Sequence, residues 1–388
     1  MSSRRFIGPA IFFFGIFQTF SINKLFRTTS DHQFGDHEQN NSLLQLSDAT
    51  KQGPIQTAVS AWGGHWEYID SVHSPYTFSH EVCNKTFFHQ DDCTKTASLC
   101  PSNLMNWQYI TADGRPYPKF NVAGFRSVMR NKSIVFVGDS TARQQVQALT
   151  WTLGHADFKW EIVQPVARAK DCVTQRRCMT DTIGNITICH QPMTTMATQN
   201  YKEGDFTFEF TQESRDTSCL LSDEFTHQLT GYDLVFVQGI AWWQGLPRRL
   251  NSTTSPSEWI LELVPTVYKD AMGKLLSNLS AKTKTVLVLG QVGTACLGKT
   301  EPEEFVPDNI PSKYGWSLAP KMWNALLKYL DEEEFDLQIV DARNPVMQSV
   351  HAHPEPDCLH FCMNSAAVNI YLDMYWNEVF RTMLQLND

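Results

Sequence analysis

The stretch "NKSIVFVGDSTARQQVQAL", residues 131–149, decides the fold. Ser133 to Gly138 are mostly β-branched or aromatic, apolar on both faces, and end in Gly-Asp-Ser; a helix-friendly run follows at once. An unalternating apolar run of this length predicts a buried parallel strand. Three later runs have the same character, so strands are expected at Ser133–Gly138, Leu234–Gln238, Thr285–Gly290 and Leu337–Asp341, with helices at 141–153, 257–280, 317–332 and 364–386. Strands alternating with helices predict an α/β fold, a doubly wound and mostly parallel sheet with helices on both sides.

Working outward, residues 155–232 interrupt the alternation. They hold four cysteines and an alternating run, "DFTFEFTQES", expected as a strand of an antiparallel extension. Residues 61–130 are rich in aromatics, hold three cysteines and lack helical period, which predicts a small, disulfide-tied, loop-rich N-terminal lobe. Residues 23–60 are polar and read as a flexible stem. Residues 6–22 are an uncharged apolar run behind Arg4 and Arg5. It is short for a bilayer span, but no convincing cleavage site follows. The expected order is a cytoplasmic tail (1–5), a transmembrane signal anchor (6–22), the stem, and a lumenal domain at 61–388 whose major lobe is 133–388; the alternatives are a cleaved signal, which would give a secreted protein, and a buried helix.

A hydrophobic fraction of 42% with only 19% charged residues suits a packed core and excludes a disordered chain. The net charge of −9 argues against nucleic acid as a partner. The ten cysteines read as up to five disulfides in an oxidising compartment. Six Asn-x-Ser/Thr sequons, at Asn40, Asn84, Asn131, Asn185, Asn251 and Asn278, point the same way.

In an open α/β sheet, ligands sit beyond the carboxyl ends of the strands, where Ser140 is expected. Helix N-terminal N–H groups there favour developing negative charge. From this segment alone, capping of the helix by Asp139 or Ser140 competes with a nucleophilic role for the serine. A serine nucleophile needs a base. Near the C-terminus stands "HAHPEPDCLHFC", residues 351–362, where Asp357 and His360 are three apart. In a tight turn this spacing brings a carboxylate to histidine Nδ1–H and leaves Nε2 free, the orienter and base of a Ser-His-Asp system. His351, His353, Asp357, Cys358, His360 and Cys362 also include plausible zinc ligands, but their spacing matches no strong zinc pattern and no metal is expected. Trp242 and Trp243 invite a sugar, whose C–H faces pack on aromatic rings; a core position is the alternative for each.

Together, "GDSTAR" and "DCLHFC" resemble the paired GDS and DxxH motifs of the trichome birefringence-like and related PC-esterase proteins of the SGNH/GDSL superfamily. "DLVFVQGIAWW" at 233–243 is similar to a further block of that family, as are the "WEYIDSVHSPYTF" region and "MYWNEVF" at 374–380. The resemblance covers roughly residues 62–388, with the middle insertion poorly matched. It implies an SGNH-type three-layer α/β/α fold and a membrane-anchored, single-pass Golgi O-acetyltransferase. The reaction would move an acetyl group from a donor such as acetyl-CoA to a polysaccharide or glycan hydroxyl, with no bound cofactor. Ser140 would be the nucleophile, His360 the base and Asp357 its orienter. Asp139, Arg143, Gln238, Gly239, Trp242 and Trp243 would line the oxyanion and substrate site. Gln238 departs from the family's asparagine, and "LVLGQVGTACLG" lacks the family's arginine-threonine; Cys296 within it is left to pair with Cys358 or Cys362. An acetyl esterase with the same triad, or a glycan-binding protein without catalysis, are the alternatives.

Overall fold

The computed structural model describes residues 63–69, 100, 102–154, 161–163, 176–192, 198–202, 205–209, 223–240, 258–306, 310, 313–335 and 337–385. The expected anchor and stem, and Trp242 and Trp243, lie outside the described residues. Among the described residues no helix is long and apolar enough to cross a membrane.

The chain opens with β1 (His65–Tyr68), β2 (Trp107–Ile110) and α1 (Val122–Val128). Then come β3 (Ser133–Gly138), α2 (Ser140–Thr152), β4 (Glu161–Val163), β5 (Arg176–Asp181) and β6 (Ile186–Pro192). A separate unit contains a two-stranded sheet of β7 (Thr198–Lys202) and β8 (Asp205–Glu209). The main unit resumes with α3 (Asp223–Leu229), β9 (Leu234–Val237), α4 (Glu258–Ser280), β10 (Thr285–Leu289), α5 (Ala319–Glu332), β11 (Gln338–Asp341), α6 (Arg343–Gln348), α7 (Ala366–Met374) and α8 (Arg381–Gln385), the last two joined by a π-helical turn at Tyr375–Phe380.

Seven strands form the central sheet, in the order β11-β10-β9-β3-β6-β5-β4. The five from β11 to β6 are parallel, and β5 and β4 extend the β6 edge antiparallel. The fold is α/β with a mostly parallel sheet, as expected. All four residues of β9 and all five of β10 are buried, so packing covers both sheet faces. On one face Phe136 and Phe236, paired across β3 and β9, stack at 4.8 Å, and Phe236 meets Tyr375 at 4.6 Å. Such ring pairs add about 0.5–1.5 kcal/mol each beyond the area they bury.

One expectation needs correction. Residues 155–232 are not wholly an insertion: β6, from "ITICHQP", pairs parallel with β3 along its whole length and is integral to the sheet. Its cysteine, histidine and glutamine disguise it as a loop, although the Cys189, His190 and Gln191 positions are buried. Cys178 and Cys189 face each other across β5 and β6 and are disulfide-bonded. The described part of 61–130 packs against segments near the C-terminus. It belongs to the same compact unit as the sheet. Trp66 Nε1 donates to Pro345 O at 2.9 Å, and Gln348 Nε2 donates to Gly64 O at 2.9 Å. The described disulfide of this region, Cys100–Cys362, runs out to the C-terminal loop instead of closing the region on itself.

Candidate active site

The turn from β3 into α2 is held by its own residues. Asp139, extended at φ −82° and ψ −159°, is the N-cap, and its Oδ1 accepts from Thr141 N at 2.8 Å and Thr141 Oγ1 at 2.6 Å. This cap leaves Ser140, the first helical residue, with a half-exposed side chain. Gly138 makes the turn possible. A Cβ there would lie 2.2 Å from Gln238 O and 2.6 Å from the Ala142 methyl. Behind the turn, His190 Nε2–H donates to Gly138 O at 3.2 Å and Asp139 O at 3.3 Å. Complete burial, with the Arg143 charge nearby, pushes His190 down to about 3 and keeps the ring neutral.

The second half of the site is the loop 357–362. His360 Nδ1–H donates to Asp357 Oδ2 at 2.9 Å, and the Ser140 hydroxyl donates to His360 Nε2 at 2.6 Å across 220 positions of sequence. The other carboxylate oxygen, Asp357 Oδ1, accepts from the backbone N–H of Leu359 at 3.1 Å and of His360 at 3.2 Å. Burial alone would raise this carboxyl. The His360 bond and charge and the two backbone donors outweigh it and hold the group at about 2. Its folded value lies below its ordinary 3.8, so the stability it contributes is complete above that pH and is lost as the pH falls through about 2.

This loop is tied down nearly atom by atom. Cys358 is bonded to Cys296 and Cys362 to Cys100, one disulfide on each side of His360. Thr294 N donates to Cys358 O at 3.0 Å, Gln291 Nε2 donates to Leu359 O, and His353 Nδ1–H donates to His360 O at 2.8 Å. Cys362 N donates to Ala352 O at 2.7 Å. Preorganisation of this kind removes ordering cost from the reacting geometry. The segment "LVLGQVGTACLG" therefore supplies three anchors of the loop, Gln291, Thr294 and Cys296. Both cysteines of "DCLHFC" are consumed in disulfides, so neither sulfur is available as a zinc thiolate.

The remaining expected site residues divide. Gly239 follows β9 beside the turn, because Gln238 N donates to Val137 O at 2.8 Å and draws the two strand ends together. Arg143 lies one turn beyond Ser140 on α2, and its backbone N–H donates to Asp139 O. Asp139 and Gln238 are engaged in hydrogen bonds of the turn itself. The Asp139 carboxylate accepts hydrogen bonds as a helix cap. Gln238 is 3% exposed, its Nε2 donates to Thr141 Oγ1 at 2.9 Å, and its Oε1 accepts from Gln145 Nε2. Gly290 leaves room for it, since a Cβ there would lie 2.6 Å from Gln238 Nε2 and 2.6 Å from the Tyr371 hydroxyl. The carboxamide braces the turn from inside.

Sequence reasoning missed Gln144, Gln145, Gln291, His190 and Cys100, and weighed His353 only as a metal ligand. One signal was present. Helix α2 carries Gln144, Gln145 and Gln147 in four positions, and all three are buried, at 5%, 1% and 1% exposure. Buried amides need partners, so a glutamine-rich helix after a buried strand marks a polar network.

Comparison with known proteins gives a family match over part of the chain. Residues 117–283 match the PC-esterase model, a GDSL/SGNH-like acyl-esterase family found in Pmr5 and Cas1p. No curated protein matches. Among solved structures, the small COPII coat GTPase SAR1 from Encephalitozoon cuniculi is 11% identical, with 69% of this chain and 87% of that chain covered and a TM-score of 0.30. A peptidoglycan O-acetylesterase is 10% identical, over 68% of this chain and 99% of that one, with a TM-score of 0.34. Est24, a carbohydrate acetylesterase from Sinorhizobium meliloti, is 12% identical, over 66% and 99%, with a TM-score of 0.26. These scores are too low to bear on chemistry, and they join a GTPase to esterases. Ser140 falls inside the matched segment; the His360 loop lies beyond it. Residues 117–283, which hold Ser140, are thus similar to the GDSL/SGNH-like acyl-esterases of the PC-esterase family.

Proposed function

We propose that the protein is an O-acetyltransferase that moves an acetyl group to a polysaccharide or glycan hydroxyl through an acetyl-Ser140 intermediate. The observation that carries this reading is the hydrogen-bonded line Ser140 Oγ, His360 and Asp357, at 2.6 and 2.9 Å. His360 Nε2 takes the hydroxyl proton as Ser140 Oγ attacks the acetyl carbonyl of a donor such as acetyl-CoA. The backbone N–H groups of Ser140 and Gly239 receive the oxyanion; a donor of this type is worth about 10²–10³ in rate. The imidazolium, steadied by the ionised Asp357, protonates the leaving thiolate. In the second half His360 deprotonates the sugar hydroxyl, which takes the acetyl group and frees Ser140. The resemblance to trichome birefringence-like proteins supports transfer to a polysaccharide.

Hydrolysis is the second reading, with water as acceptor. The His360 side chain is 27% exposed, so solvent reaches the base. One experiment separates the two. The chain is incubated with an acetyl donor and followed by intact mass, and Ser140 gains one acetyl group. Added oligosaccharides then appear as acetylated glycan for a transferase and leave free acetate for an esterase. A folded chain whose Ser140 never acquires the group sinks both readings.

The same proposal places the protein in the Golgi membrane through its N-terminal segment, with the catalytic domain in the lumen. The three disulfides among the described residues support an oxidising compartment. Asn131 and Asn185 offer the test. Both are exposed, in left-handed backbone at φ 58° and 51°, just before the parallel strands β3 and β6. They therefore lie at the pole of the sheet opposite Ser140. Asn185 Nδ2 donates to Asn131 Oδ1 at 3.1 Å. Enzymatic deglycosylation of protein made in its native secretory pathway is expected to convert Asn131 or Asn185 to aspartate. Both residues unmodified, in protein with its disulfides formed, would count against a lumenal domain.

A further inference from the structure

Ser140 and Gln144 are four residues apart on α2 and share one face of the helix. The Gln144 carboxamide, 5% exposed, pairs with both backbone groups of Phe361, the residue after His360. Its Nε2 donates to Phe361 O at 2.9 Å, and its Oε1 accepts from Phe361 N at 3.1 Å. Nε2 also lies 3.3 Å from Met363 Sδ. The other ties of the loop reach elsewhere. Cys296, Gln291 and Thr294 belong to the segment after β10, and His353 and Ala352 to the segment after α6. None of these reaches the helix that carries the serine. Gln144 does.

We propose that Gln144 is a positioning residue that sets the spacing between Ser140 Oγ and His360 Nε2 by joining the base-bearing loop to the nucleophile-bearing helix. The inference rests on the catalytic reading of Ser140 and His360 above. Its physical content is geometric. The nucleophile and base sit on elements far apart in sequence, and each is rigid only with respect to its own neighbours. The disulfides fix the loop to the rest of the chain, yet a loop held only from that side is free to drift relative to α2. A two-point amide pairing, four residues from the serine and one from the histidine, closes that gap. Both partner groups on Phe361 are buried backbone, so a side chain without a carboxamide leaves them unsatisfied and the loop shifts to find partners. A misplacement of about 1 Å between reacting groups costs about 10² in rate.

The test uses the full chain with Gln144→Leu and Gln144→Glu. Ser140 labelling by a fluorophosphonate probe reads nucleophile activation; hydrolysis of an aryl acetate gives kcat and KM; the melting temperature and disulfide content report folding. Gln144→Leu is expected to label about 10²-fold more slowly per folded molecule and to lose the same factor in kcat, with KM unchanged. Gln144→Glu still accepts from Phe361 N but loses the donor to Phe361 O, and is expected to lose about tenfold. A merely structural role would lower the melting temperature and leave labelling per folded molecule at the wild-type rate. That outcome with folded Gln144→Leu overturns the proposal; if Gln144→Leu does not fold, a wild-type labelling rate in Gln144→Glu overturns it. A wild-type chain that labels nowhere removes the catalytic reading itself, and the positioning role with it.

Discussion

Ser140→Ala is expected to abolish acetyl turnover, by about 10⁶-fold, and His360→Ala to do the same. The magnitude follows from the division of labour in the line of three. Without the hydroxyl there is no acyl-enzyme; without the imidazole the hydroxyl keeps its proton. The two losses do not add, because each variant already disables the same step, so the double variant is no worse than either single one. Asp357→Asn costs less, about 10⁴-fold, since the amide orients the ring but favours the wrong tautomer. Folding is spared in the serine variant. The cap of α2 is Asp139, not Ser140, and the serine side chain is half exposed. Its melting temperature is therefore expected to match that of the wild type, so any lost rate belongs to chemistry. The measurement is steady-state turnover of an acetyl ester alongside thermal unfolding of the same samples. Substantial turnover in folded Ser140→Ala would remove this serine as nucleophile and, with it, the reaction proposed above.

Gly138→Ala is expected to damage both stability and activity, although it adds one methyl group far from solvent. The new carbon would stand 2.2 Å from Gln238 O and 2.6 Å from the Ala142 Cβ. Neither neighbour is the yielding tip of a long side chain. One is the backbone of the adjacent strand end and the other is the first turn of the serine's own helix. Relief requires β3 and β9 to part just where Gln238 N holds Val137 O at 2.8 Å. Overpacking of this kind typically costs about 1–3 kcal/mol, and backbone neighbours that cannot yield put this site at the upper end. The same parting moves Ser140 against a loop that two disulfides hold still, so activity per folded molecule falls by about 10² or more. Denaturant unfolding and Ser140 labelling measure the two effects separately. A Gly138→Ala protein with wild-type stability and labelling would mean that the strand ends are not as closely apposed as described.

How much of this was legible beforehand varies with the distance over which the deciding interaction acts. The runs "IVFVG", "LVFVQ" and "VLVLG" announced buried parallel strands because burial on both faces leaves its mark on every consecutive residue. The Asp357–His360 pair was legible for a similar reason: three residues in a tight turn bring a carboxylate to a ring nitrogen with no help from elsewhere. Asp139 as a cap was visible as a competing reading of the same six residues. By contrast β6 was misread. Its place beside β3 is earned by pairing, and the pairing partner lies outside its own segment. Gln238 was judged by its position in a motif, whereas its direction is decided by the hole that Gly290 leaves on a different strand.

The sequence by itself determined the local architecture: the strands of the parallel sheet, the capped helix start that presents Ser140, and a histidine with its carboxylate already beside it. Patterns of polarity and turn chemistry are set by neighbours within a turn or two, so they can be read along the chain. Only the tertiary structure decided that His360 meets Ser140 across 220 positions, that Cys358 takes Cys296 while Cys362 takes Cys100, and that Gln144 reaches Phe361. Those meetings depend on which buried faces come together when the sheet closes its layers, and an amide or thiol in the sequence carries no address for its partner.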